Sequence, residues 1–239
     1  MNTIAITAAT EKEISSLVRM MGATECMLQG SRATYEGKCG RQRIVLAITG
    51  MGKVNTASAM TALLGRYSPD LLINTGCAGA YAGSSLAVGD LAIATAEIYG
   101  DEGVLTPRGW EPLDCIGIPL LMAQGKSYFN ELPIPPDFIE KAARFADTQA
   151  ISLRRGKFVT VSTCSGTLAR GKELASRFDA ICENMEGAAS AHIALLNGIE
   201  FLEIRGISNI VEDRDLSRWD IARACENVQR FIHSFIESL

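Results

Sequence analysis

Apolar and polar positions along this chain alternate between two patterns. Short runs rich in branched apolar residues, "TIAITAA", "RIVLAIT", "DLLINTG", "GDLAIATAEI", "KFVTVST" and "IEFLEIRGIS", read as buried strands. Between them lie stretches with apolar residues three and four apart: "EKEISSLVRMM", "KVNTASAMTALLGRY", "TLARGKELASRF", "EGAASAHIALLNG" and the terminal "DIARACENVQRFIHSFIESL". These read as helices with one buried face. The alternation predicts an α/β fold, a single three-layer αβα domain over residues 1–239 with a mostly parallel or mixed central sheet flanked by helices. Small residues follow the strands, in "AAT", "TGMG", "NTGCAGAYAG", "STCSGT" and "GISN", and the longest of these reads as a glycine-rich turn. Such ends open together at the carboxyl edge of a sheet, where α/β folds place ligands. The proline-rich segment from Tyr99 to Pro136 breaks the rhythm. Its part from 104 to 136 reads as an irregular excursion, a lid or a subunit contact.

Composition narrows the class. At 239 residues, 47% hydrophobic and 21% charged, the chain can bury one large core. A formal net charge of -4, without a long basic run, argues against nucleic acid or an anionic membrane as partner. No stretch reaches the roughly 18–20 apolar residues that would cross a bilayer, and no basic, apolar leader precedes the first strand, so a cytoplasmic location is expected. The seven cysteines, at 26, 39, 77, 115, 164, 182 and 225, have no C-x-x-C spacing, which suggests neither a disulfide framework nor a zinc knuckle. With two histidines in the chain, a histidine metal site or a Ser-His-Asp triad is not expected. His192, on the apolar side of "ASAHIALL", reads as a core residue.

Several strand ends carry candidate chemistry, each with two readings. "TGMGKVNTA", containing Met51, offers backbone N–H groups to an anion or a sugar oxygen, or is simply a tight strand-to-helix turn. In "AATEKE", Glu13 stands three residues after Thr10. That is the capping-box spacing, and it also suits a carboxylate that takes a proton from water. "ENMEGAASAH" brings Glu183 and Glu186 around Met185; a carboxylate there could accept paired sugar hydroxyls or complement a helix dipole. Met185 could pack on a sugar or fill core. Asn209, in "EIRGISNIVEDRD", could cap a turn or present an amide to a ligand.

The motifs "AATEKE", "TGMGKVNTA", "NTGCAGA", "NMEGAA" and "IRGISN", in this order, resemble the purine and uridine nucleoside phosphorylase superfamily, near its methylthioadenosine/S-adenosylhomocysteine nucleosidases. "STCSGT" and "EIRGISNIVEDRDLSRWDI" are similar to the futalosine-hydrolysing nucleosidases of the alternative menaquinone pathway. The likeness spans nearly the whole chain and is weakest from about 104 to 150. It implies a nucleoside phosphorylase-like fold, a small-molecule nucleoside substrate, no metal or organic cofactor, and a homo-oligomer, a dimer or tetramer.

The resemblance also implies roles for individual residues. Glu13 matches the water-activating glutamate, and Met185 with Glu186 matches the pair at the ribose. Cys77, Ala78 and Gly79 match a loop lining the pocket, with a cysteine where relatives carry serine. Ser165 and Gly166 match base contacts, although no aromatic residue stands there to stack. Arg205 and Ser208 match supports of the position that stabilises the departing base, and Asn209 matches that position itself.

An amide at 209 suits a 6-oxopurine: its NH2 can donate to O6 while its carbonyl accepts from a protonated N7. The expectation is hydrolysis of futalosine to hypoxanthine and dehypoxanthinylfutalosine. The alternatives are a methylthioadenosine/S-adenosylhomocysteine nucleosidase, a 6-oxopurine nucleoside phosphorylase, and a nucleoside-binding module without catalysis. Arg108, Trp110 and Arg218 are further candidates for reading the 5′ substituent of the ribose.

Overall fold

The structure is a computed structural model that describes residues 2–28 and 32–239. It is built on β1 (Thr3–Ala8), β4 (Gln42–Ile48), β5 (Leu71–Tyr81), β6 (Leu91–Tyr99), β12 (Leu153–Thr160), β13 (Ala180–Asn184) and β14 (Glu200–Val211). A hairpin of β2 (Thr24–Leu28) and β3 (Arg32–Cys39) extends the sheet beyond β4, and β11 (Glu131–Pro133) adds to β6. The sheet is mixed: β1 runs parallel to β4 and β5, while β13 is antiparallel to β5 and β14 antiparallel to β6.

The sheet partly closes on itself. β5 pairs with β13, β13 with β12, β12 with β6, β6 with β14, and β14 returns to β5. Each of these five strands thus has a partner on both sides. This explains why residues 77–81, expected as a glycine-rich turn, are strand: β14 runs parallel beside them and takes up their backbone groups.

Among the described residues six helices flank the sheet: α1 (Ser15–Met20), α2 (Lys53–Arg66), α3 (Pro136–Thr148), α4 (Leu168–Phe178), α5 (Gly187–Asn197) and α6 (Ile221–Glu237). α6 buries Ala224, Cys225, Val228, Phe231, Ile232, Phe235 and Ile236, a face set by its three- and four-residue spacing. Phe231 and Phe235 meet Phe145 of α3. Asp220 starts α6 by accepting from the backbone N–H of Arg223, and Thr167 does the same for α4 through Arg170. The main apolar core runs from Ile4 to Ile236, and a smaller cluster of Tyr81, Val159, Val161, Leu174, Ala180 and Val211 lies beside α4. Among the described residues, no helix is long and apolar enough to cross a membrane.

The excursion is more regular than its composition suggests. β7 (Val104–Thr106) pairs with β8 (Gly109–Glu111), β9 (Leu121–Ala123) pairs with β10 (Lys126–Tyr128), and β11 joins the main sheet. Three-residue strands are too short for an alternation to be read from sequence.

Candidate active site

A cavity of about 260 Å³ opens where β1, β5, β13 and β14 end. Of the sequence-predicted residues, Glu13, Met51, Cys77, Ala78, Gly79, Ser165, Met185, Glu186, Ser208 and Asn209 line it. Arg205 and Gly166 do not. Arg205 is buried behind the wall, whereas the Gly166 carbonyl accepts from the N–H of Arg214 at 3.4 Å. Arg108, Trp110 and Arg218 also lie outside the lining. Arg108 pairs with Glu111 and Arg218 with Glu212, while Trp110 packs edge-on against Phe178.

Glu13 occupies the single-turn helix after β1. Its Oε2 accepts from the backbone N–H of Thr10 at 2.9 Å and from the Thr10 hydroxyl at 2.8 Å. Its Oε1 accepts from the backbone N–H of Cys77 at 3.0 Å and faces the Cys77 thiol at 3.4 Å. The cap and the cavity carboxylate are therefore one group, fixed by donors to both oxygens while its face stays on the cavity. A Cβ on Gly76, whose φ is +143°, would stand 2.5 Å from Glu13 Oε1 and 2.9 Å from Arg205 Nη1. Only glycine lets β5 pass between these two charges. The Cys77 thiol is pushed far above its ordinary value by its hydrogen bond with Cys225, by burial and by the Glu13 charge, so it stays protonated at neutral pH.

Across the cavity, Glu186 Oε1 accepts from the Gly52 N–H at 3.0 Å, which ties the turn before α2 to the start of α5. Its Oε2 lies 3.5 Å from Arg205 Nη1. Arg205 is held more firmly elsewhere, with Nε 2.8 Å from Glu203 Oε1 and Nη2 2.6 Å from Asn74 Oδ1. Burial alone would lower the Arg205 pKa, but Glu203, Glu186 and Glu13 outweigh it and keep the guanidinium charged.

Asn209 stands within β14, not in the loop beyond it. The β14–β5 register shifts between Ile207 and Asn209, leaving Ser208 as the extra residue of a bulge. Neighbouring side chains on a regular strand point to opposite faces; the bulge turns both Ser208 and Asn209 into the cavity.

Sequence reasoning passed over four lining residues: Ala9, Cys164, Asn184 and Trp219. Asn184 accepts from the backbone N–H groups of Glu186 and Gly187 at 2.9 and 2.7 Å, shaping the turn that presents Glu186. Its place beside "MEG" was the available signal. Glu183 anchors the opposite loop by accepting from the Ser165 N–H at 2.7 Å and hydroxyl at 2.6 Å. His192 is half-buried on α5 and meets the Tyr99 hydroxyl at 3.1 Å. Away from the cavity, Cys39, His233 and Glu237 bring three possible ligand atoms within 4.8 Å of one another. Burial pushes the Cys39 thiol up to about 11, which opposes a thiolate ligand there.

A family model described as "Phosphorylase superfamily" matches residues 3–237. The chain belongs to the phosphorylase superfamily. It is 32% identical to the futalosine hydrolase of Thermus thermophilus over 188 residues, 79% of each chain. It is 30% identical to the 5′-methylthioadenosine/S-adenosylhomocysteine nucleosidase of Listeria innocua over 230 residues, 91% of each. In structure it is similar to the same type of nucleosidase from Neisseria meningitidis in complex with methylthio-immucillin-A, with a TM-score of 0.86 at 27% identity and the whole of both chains covered. With these relatives, the chain is a nucleosidase, an enzyme that hydrolyses N-glycosidic bonds.

Within this superfamily member the cavity lining is chemically one-sided. Among the described residues it carries three carboxylates, Glu13, Glu183 and Glu186, and no lysine or arginine. Such a wall admits water beside a sugar and disfavours an anionic nucleophile.

Proposed function

We propose that the chain hydrolyses the N-glycosidic bond of futalosine, releasing hypoxanthine, and so serves the futalosine route to menaquinone. The observation that carries this reading is Asn209, an amide held in the cavity by Ser208. Glu13 takes a proton from the attacking water. Glu186, with Met185 beside it, binds the ribose hydroxyls. As the bond breaks, the sugar gains positive charge and the purine negative charge. Asn209 Nδ2 donates to O6 of the base, while Oδ1 accepts from N7–H once that nitrogen has taken a proton from solvent, to which Glu13 returns the proton it took from the attacking water. A 6-amino group would instead face a donor and leave a buried pair unmatched, at about 1–3 kcal/mol. A futalosine hydrolase at 32% identity is among the relatives, beside methylthioadenosine/S-adenosylhomocysteine nucleosidases at similar identity, so the choice between them rests on Asn209.

The test is hypoxanthine release from futalosine in phosphate-free buffer, followed by absorbance. Turnover is expected without phosphate. Turnover that requires phosphate would make the chain a phosphorylase, and tight substrate binding without base release would make it a binding module.

We further infer that the chain assembles as a homo-oligomer in the cytoplasm. Met51, Val54, Leu105, Ile118, Met122 and Leu196 are large, exposed and apolar. They lie at α2, at α5 and on the excursion, and α5 packs against both α2 and β9. Exposed apolar side chains gathered in this way suit a second copy of the chain.

A further inference from the structure

Behind the cavity wall lies a group of charges that neither the water nor the base would touch. Glu97 of β6 and Glu203 of β14 are both fully buried. Both crowd the point where a Cβ on Gly187 would stand, 2.0 Å from Glu97 Oε1 and 2.5 Å from each Glu203 oxygen. Two ionised carboxylates cannot share so small a dry space.

The donors around the pair show where a proton belongs. Glu97 Oε1 accepts from Asn184 Nδ2 at 2.7 Å and Glu97 Oε2 faces the Thr160 hydroxyl at 2.7 Å. Glu203 Oε1 accepts from Arg205 Nε, but Glu203 Oε2 is buried with no N–H or O–H of the described residues to satisfy it. A hydroxyl on the Glu97 carboxyl supplies that donor. Burial, and after it the charge of Glu203, push Glu97 well above the ordinary carboxylate range. Arg205, in contact with Glu203, opposes the rise that burial imposes on Glu203. Glu186, at the start of α5, and Cys182 of β13 also face this group.

The geometry of Arg205 gives the pair a purpose. Glu203 and Asn74 hold Nε and Nη2 of the guanidinium at 2.8 and 2.6 Å, while the contacts to the Cys77 carbonyl and Asn184 Oδ1 are long, at 3.4 Å each, and Glu186 Oε2 stands at 3.5 Å from Nη1. An arginine freed from Glu203 would close on Glu186 as a short, strong ion pair and compete with any hydroxyl seeking the same oxygens.

We propose that Glu97 and Glu203 share one proton, and that this acid–carboxylate pair holds Arg205 back from Glu186 so that Glu186 can accept the ribose hydroxyls. Glu97 and Glu203 are thus positioning residues. The inference rests on reading Glu186 as the ribose-binding carboxylate, and not on the identity of the base.

Two measurements test it. The first is infrared spectroscopy of ligand-free protein carrying carbon-13 in its glutamate carboxyls, at neutral pH. A protonated carboxylic acid band is expected in the wild type and absent from Glu97→Gln. A wild type without the band, or Glu97→Gln that keeps it, would overturn the shared proton whatever the substrate proves to be.

The second compares steady-state kinetics. An amide at 97 still donates, so Glu97→Gln should stay within about threefold of wild type in KM, whereas Glu97→Leu and Glu203→Gln should raise KM about tenfold or more with a smaller change in kcat. Glu97→Gln as impaired as Glu97→Leu would overturn the positioning role. Loss of kcat with unchanged KM would overturn it as well. Thermal unfolding of each variant identifies any that fails to fold. Should no nucleoside be cleaved by the wild type, the proposed function fails while the infrared result still decides the shared proton.

Discussion

The hydroxyl of Ser208 lies 2.8 Å from Oδ1 of Asn209, and the two residues follow one another through a bulge in β14. The hydroxyl donates to the amide oxygen, which orients the NH2 away from Ser208; Nδ2 makes one long contact of its own, to the Ile210 carbonyl at 3.3 Å. One N–H remains to meet a base. Replacing Asn209 by Ala removes that donor and should lower kcat for futalosine by about tenfold or more, as loss of a transition-state donor does. Ser208→Ala leaves the amide free to turn and should cost about 1 kcal/mol, about fivefold in kcat/KM. Steady-state rates of the two variants check both expectations.

Glu13 can be separated from its capping role. Glutamine keeps one acceptor, enough for the capping box, but turns its NH2 toward the Cys77 N–H, so Glu13→Gln should still fold, with a lower melting temperature than the wild type. It cannot take a proton from water, and kcat should fall by about 10²–10⁴-fold. Calorimetric titration with substrate, run beside the rate measurement, should show binding retained.

Gly187 has no room for a side chain. A methyl group there would collide with the Glu97 and Glu203 carboxyls, and overpacking of this kind costs about 1–3 kcal/mol. Gly187→Ala should therefore unfold at lower denaturant concentration. A midpoint equal to that of the wild type would count against the packing described here.

The buried carboxyl of Glu97 links stability to pH. Its folded pKa lies above the ordinary 4.5, so the folded chain holds a proton that the unfolded chain releases. The corresponding stabilisation is complete below 4.5 and is lost as pH rises from there toward the raised folded value. Unfolding free energies of wild type and Glu97→Gln, measured by denaturant from acid to neutral pH, should show the wild type losing stability relative to the variant as pH increases.

Much of this site could be read from the chain. Ten of the expected residues line one cavity because each follows a strand or lies in its carboxyl-terminal half, and these strand ends converge. The hidden features depend on pairing between distant segments. Residues 77–81 look like a turn by composition and become strand because β14 lies beside them. Asn209 sits in a strand for the same reason, and the bulge that aims it has no local signature. The β2–β3 hairpin, where apolar residues are sparse, was not anticipated. Glu97 carried no signal at all. A single glutamate in "LAIATAEIY" acquires meaning only when β6 and β14 bring it against Glu203.

The preference for a 6-oxopurine is tested most directly by kcat/KM for futalosine and for methylthioadenosine, measured on wild type and Asn209→Asp. The wild type should favour futalosine, and the carboxyl of the variant, able to donate to N7 and accept from a 6-amino group, should shift the ratio toward methylthioadenosine by about tenfold or more. A wild type that cleaves methylthioadenosine better, or a ratio that the substitution leaves unchanged, would contradict the role given to Asn209.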